Sequence, residues 1–192
     1  MEKNKGFYVN NGVVIEGYLS DESYFNGILF LLREPNSENQ TSFWFKDCLK
    51  AEPSDTISKR TRTKYINTFE RLLSYAGKDY KLKECAYANV IPYKGERTVS
   101  TIYKALDNDT KADRFLSLVN ECHPTHAFVC SDMFDALKNC GKLHGNLCGV
   151  DYESRGKKRC ALYDNSTIKV YEIYHPAAPV PYPKEKNNRF DA

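Results

Sequence analysis

The run Ile28-Leu29-Phe30-Leu31-Leu32 constrains this chain more than any other stretch. Five consecutive apolar residues without polar alternation predict a strand covered on both faces, as in a parallel sheet flanked by helices. The run stops abruptly at Arg33-Glu34-Pro35-Asn36. Far along the chain, Ile173-Tyr174-His175-Pro176-Ala177-Ala178 stops in the same way, with an ionisable side chain followed by proline. In open α/β sheets, ligands sit just beyond the carboxyl ends of the strands. Glu34 and His175 are therefore candidates to face each other across one pocket.

Other segments fit the same architecture. Residues Cys85 to Ile91 and Ala127 to Cys130 read as further strands, the first ending at Pro92. Tyr65, Phe69, Leu72, Leu73 and Ala76 share one face at helical spacing, after a start signal at Ser54-Asp55-Thr56 and before Gly77. Phe115, Leu118, Val119 and Cys122 mark a second helix. Met133, Phe134 and Leu137 mark a third, with Ser131 or Asp132 as its expected cap. Gly6 to Gly17 suggests a small hairpin or arm. Cys160–Tyr163 and Ile168–Ile173 flank the turn signal Asp164-Asn165-Ser166. Strands alternating with helices predict an α/β fold, a three-layer αβα sandwich around a central, mainly parallel sheet. The 192 residues suit one domain, 1–192, with its core at about 24–178 and a Pro-rich C-terminal tail at 179–192.

Composition narrows the function classes only mildly. The net charge of +3 neither demands nor excludes a nucleic-acid partner. Seven Cys, an odd number, and an N-terminus leading into no apolar signal core predict reduced thiols and a cytoplasmic protein. No apolar run approaches the length of a membrane span, so no membrane partner is expected. Cys122, His123 and His126 lie close in sequence, as do Cys140, His144 and Cys148. Neither group has a standard zinc spacing, and no metal is expected.

Three strand ends carry the chemistry: Arg33-Glu34-Pro35-Asn36, Asn89-Val90-Ile91-Pro92 and Tyr174-His175-Pro176-Ala177. Their order and strand context resemble the motifs of the uracil-DNA glycosylase superfamily, over roughly Ile28 to Ala178. In that family a first strand ends in a carboxylate or Asn followed by Pro, a middle strand carries an Asn, and a late strand ends in His-Pro-Ser or a near variant. The resemblance implies a uracil-DNA glycosylase-like fold. It also implies hydrolysis of the N-glycosidic bond of uracil or a related damaged base in DNA, single- or double-stranded. Glu34 would position water and His175 would stabilise the leaving base. Asn89 would read the pyrimidine edge, with Phe43 or Phe45 as the stacking platform and Pro35 and Asn36 lining the base site. That chemistry needs no cofactor. The family's iron–sulfur cluster is not expected, because no Cys precedes Cys48 and no Cys-x-x-Cys occurs. A monomer is expected.

Each residue also has a plain structural reading. Glu34 can be a solvated carboxylate or a partner of Arg33, His175 can close a strand end, and Phe43, Trp44 and Phe45 can belong to the core. The motif edges also depart from the family. Arg33 stands where Gly or Gln is common, Asn36 where Tyr or Gly is common, and Ala177 where Ser is usual. Two basic runs are candidates for phosphate: Lys59, Arg60, Arg62 and Lys64, and the better one, Arg155, Lys157, Lys158 and Arg159, read as a flexible loop. The alternative function is a non-catalytic nucleotide-, nucleic-acid- or protein-binding module on the same fold. A third is a glycosidase of free nucleosides or nucleotides.

Overall fold

The computed structural model describes residues 8–10, 13–15, 17–18, 27–33, 63, 66–70, 72–73, 82–91, 101–145, 150–151, 157–164 and 166–174. Strands β1 (Tyr8–Asn10) and β2 (Val13–Ile15) form the expected N-terminal hairpin. The main sheet contains β3 (Gly17–Tyr18), β4 (Ile28–Leu32), β5 (Ala86–Asn89), β6 (His126–Cys130), β7 (Leu143–His144), β10 (Cys160–Tyr163) and β11 (Lys169–Ile173). Its spatial order is β3-β5-β4-β6-β11-β10-β7. A separate two-stranded ribbon pairs β8 (Val150–Asp151) with β9 (Lys157–Lys158).

The four central strands β5, β4, β6 and β11 are parallel. Antiparallel strands close both sides, β3 on β5 and then β10 and β7 beyond β11. The sheet is therefore mixed, and parallel only at its centre. The antiparallel margin follows from the tight turn at Asp164, which adopts φ 47° and returns the chain directly onto β11. A parallel neighbour would need a long crossover.

Every residue of β4 is buried, as its unbroken apolar run predicts. One face of the sheet packs on the helical residues 66–70 and 72–73 through Phe69, Leu72 and Leu73. The other face packs on α1 (Thr101–Ala105), α2 (Asn108–Cys122) and α3 (Ser131–Asn139). The expected three layers are thus present. The signals at Ser54–Thr56, Tyr65, Ala76 and Gly77 lie outside the described residues.

A cross-strand aromatic row fills the first face. Tyr87, Phe30, Phe128 and Tyr171 come one from each parallel strand and stand in register. Their ring centroids are 5.0–5.3 Å apart, with nearly parallel planes. Phe69 rests on Phe30 at 4.4 Å. In-register rings on neighbouring strands bury large apolar surfaces and add ring–ring attraction.

Local signals set the strand and helix ends. Gly27, at φ 84°, precedes β4, and its carbonyl accepts from the Thr125 and His126 amides at 2.8 and 3.0 Å. A Cβ at Gly27 would lie 2.7 Å from Thr125 Oγ1, so both dihedral and space favour glycine there. Asp107 caps α2 by accepting from the Thr110 amide at 2.7 Å. Helix α3 departs from expectation. Its N-cap is Cys130, which makes no side-chain cap bond, while Ser131 and Asp132 lie inside the helix. Asp132 does not cap because its carboxylate is held by Arg33. Among the described residues, no helix is long and apolar enough to cross a membrane.

Candidate functional site

The parallel strands bring their carboxyl ends to one edge in the order Asn89, Leu32, Cys130, Ile173. Numbered by chain order among themselves, they lie 2-1-3-4. The order therefore reverses between β4 and β6, and such a reversal opens a crevice at the carboxyl edge where ligands bind.

Asn89 ends β5, pairs with Leu32 and is 2% exposed. It is two residues beyond Tyr87, so it shares the face of the aromatic row. Past the ladder, the Val90 and Ile91 amides still donate to the Leu32 and Arg33 carbonyls at 2.9 and 3.0 Å. The ends of β4 and β5 thus remain tied together up to Arg33. The structure follows the edge to Arg33 on β4 and to Tyr174 on β11. Glu34, Pro35, Asn36, Phe43, Phe45 and His175 lie outside the described residues. Glu34 is joined to Arg33, and His175 to Tyr174.

Arg33 closes β4 on the α-helical side. Its Nε donates to Asp132 Oδ1 and Oδ2 at 3.1 and 3.0 Å, and both side chains are partly buried. Burial, the largest single influence, would lower the Arg33 pKa, but the Asp132 carboxylate together with Cys130 and Tyr103 holds it above the ordinary value. Tyr103 from α1 is buried beside the pair. Burial first, and then the Asp132 carboxylate, push its phenol far above the usual range. Arg114 of α2 reaches the same edge, its Nη2 donating to the Asn89 carbonyl at a long 3.5 Å.

A second arginine organises the β11 end. Arg159 Nε donates to Glu172 Oε2 at 2.9 Å, and Arg159 Nη1 to Asp135 Oδ1 at 2.6 Å. Its guanidinium also stacks over Phe134, 4.6 Å from the ring centroid. The hydrogen bond to Glu172 first, and then that to Asp135, hold the Arg159 pKa well above its ordinary range. The segment expected to be a flexible basic loop is more ordered than that. Lys157 and Lys158 pair with β8, and Arg159 is anchored by two carboxylates. Arg155 and the side chains of Lys157 and Lys158 lie outside the described residues.

Sequence reading found Asn89 but missed both arginine pairs. A signal for one was present. Glu172 sits among Val170, Tyr171 and Ile173 in β11, with Lys169 at the strand start, and a buried carboxylate needs a cationic partner. The Arg33–Asp132 pair had no such signal, because a strand end and a helix start far apart in sequence meet only through the topology. Among the described residues, no three His, Cys, Asp or Glu side chains group as metal ligands. No protein-family model and no curated protein matches the chain.

Proposed function

We propose that this protein is a DNA glycosylase of the uracil-DNA glycosylase type, hydrolysing the N-glycosidic bond of uracil or a related damaged base. One observation carries the reading. Asn89 is buried at the end of β5, one strand away from Arg33 and three from Tyr174, all on one edge of a parallel sheet ordered 2-1-3-4. In sequence, Glu34 directly follows Arg33 and His175 directly follows Tyr174, which supports assigning both to that edge. Two interstrand steps of about 4.8 Å separate β4 from β11, leaving about 10 Å between their ends for a flipped nucleotide.

The chemistry then divides among three residues. As the C1′–N bond breaks, its electron pair leaves with the base and positive charge builds on the sugar. Glu34 stabilises that charge and takes a proton from the water whose oxygen bonds to C1′. His175 donates a hydrogen bond to the oxyanion developing on the base. The Asn89 amide pairs with one donor and one acceptor of the pyrimidine edge. Phe43 or Phe45 stacks on the base, and Pro35 and Asn36 wall the pocket. Arg155, Lys157 and Lys158 contact the DNA backbone. Arg159 contributes less there, because Glu172 and Asp135 already balance its charge.

The test is base release from single- and double-stranded oligonucleotides carrying uracil, hypoxanthine, xanthine or a thymine mismatch. Release of one of these bases supports the reading and names the substrate. No release from any of them by folded protein overturns it in favour of a non-catalytic binding module.

A further inference from the structure

The chain leaves the main sheet for the ribbon β8–β9 at Arg159, beside the carboxyl end of β11. Strand β10 runs antiparallel to β11, with Cys160 paired to Tyr171. One residue farther, the Glu172 amide donates to the Arg159 carbonyl at 2.8 Å. A continuing ladder would return the Arg159 amide to the Glu172 carbonyl. That amide donates instead to the Glu172 side chain, at 3.2 Å from Oε2, and Arg159 Nε donates to the same oxygen at 2.9 Å. Glu172 thus holds both the backbone and the side chain of the residue where the chain departs. Asp135 of α3 takes the other end of the guanidinium, which stacks on Phe134. Lys157 and Lys158 precede Arg159, so the antiparallel direction carries β9 past Glu172 toward the carboxyl end of β11. There β9 touches β11, on the flank away from β6.

The ribbon is too short to place itself. It pairs Val150 with Lys158 and Asp151 with Lys157, and a lone hairpin is at best marginal in water. Its direction is therefore set by its anchor. We propose that Arg159, fixed by Glu172 and Asp135, is a positioning residue that holds the ribbon beside the carboxyl end of β11, where Lys157 and Lys158 meet the phosphodiester backbone of a DNA strand. The proposal rests on the DNA-binding part of the reading above, and not on turnover. Charge supports it. Two carboxylates balance Arg159, which suits an anchor better than a phosphate contact. Lys157 has Asp151 as its register partner, whereas Lys158 has the uncharged Val150. Strand β9 therefore brings a cation to the edge, and a lysine is a ready point charge for phosphate.

The sign of one effect discriminates. Carboxylates near a polyanion repel it, so charge alone predicts that removing Glu172 or Asp135 tightens DNA binding. Positioning predicts that it weakens. The measurement is fluorescence anisotropy of an undamaged single-stranded oligonucleotide with the full chain, over a range of salt concentrations. Lys157→Gln combined with Lys158→Gln should make the slope of log affinity against log salt shallower by about 1.4, at about 0.7 per phosphate on a single strand. Glu172→Leu, which removes the acceptor and keeps an apolar stem, should weaken binding at least about fivefold at low salt and make the slope shallower too. Added to the two lysine changes it should cost nothing further, because the anchor acts only through the ribbon. Asp135→Ala, at an exposed helix position, should weaken binding by less, and it carries the test if thermal melting shows that Glu172→Leu unfolds. Asp113→Asn, which removes an exposed acid outside the anchor, should not weaken binding. Unchanged or tighter binding by the folded anchor variants, full additivity with the lysine changes, or no binding by the parent overturns the proposal. Base release is scored separately. Release with binding that ignores the anchor refutes the positioning role alone, and anchor-dependent binding without release refutes the glycosylase reading alone.

Discussion

Glu172 shows how much a single residue organises here. Its side chain is 7% exposed, and its charge is balanced by Arg159, itself 35% exposed. Removing one partner of a buried pair strands the other. Arg159→Met should therefore cost about 2–3 kcal/mol in urea unfolding at pH 7, below the usual range of about 3–5 kcal/mol because solvent screens the guanidinium. A change below about 0.5 kcal/mol would show that the pair contributes little. Gly27→Ala should cost about 1–3 kcal/mol by the same measurement, since it combines a left-handed dihedral with a close approach to Thr125. At this scale the sequence was partly legible. Asn89 stood out because an amide ending an apolar strand needs a reason. Asp132 was misread as a helix cap, because the local pattern at a helix start cannot reveal an arginine arriving from another strand.

Elements were more legible than residues. The run 28–32, the strand after Cys85, the helix face through Phe115 and Cys122, and the hairpin around Asp164 all stand where periodicity put them. These signals are local, arising from side-chain period and turn chemistry. Pairing was less legible. Nothing local shows that β10 and β7 add an antiparallel margin, or that Lys157 and Lys158 of the basic segment form strand β9. The aromatic row is likewise a product of register, since its four rings come from strands distant in sequence. Phe30 is its hub, touching Phe69, Tyr87 and Phe128. Phe30→Ala should cost about 3–5 kcal/mol in urea unfolding. Phe30→Leu should cost clearly less, because it keeps most of the volume. Equal losses would mean that ring-on-ring geometry, rather than filled space, dominates the row.

For the molecule as a whole, the fold links stability to alkaline pH. Burial, assisted by Glu121, pushes the Cys122 thiol up from about 9 to about 12, and Tyr103 is also raised above its ordinary value. Both groups stay protonated in the folded chain at pH values where the unfolded chain ionises. Their contribution is complete below about pH 9 and is lost as pH rises toward 12, at about 1.4 kcal/mol per unit and group once the unfolded group titrates. Urea stability should fall between pH 9 and 11, and Cys122→Ala should flatten the early part of that decline. A flat profile would contradict the burial assigned to these groups. The carboxyl edge presents the larger question, because it is where the proposed glycosylase chemistry would take place. The most direct test is the single-turnover rate of base release from the preferred oligonucleotide, measured for the parent, Glu34→Gln and His175→Ala. The account predicts that each substitution slows release at least about 100-fold while binding of the oligonucleotide changes little. Release at the parent rate by either folded variant would contradict it.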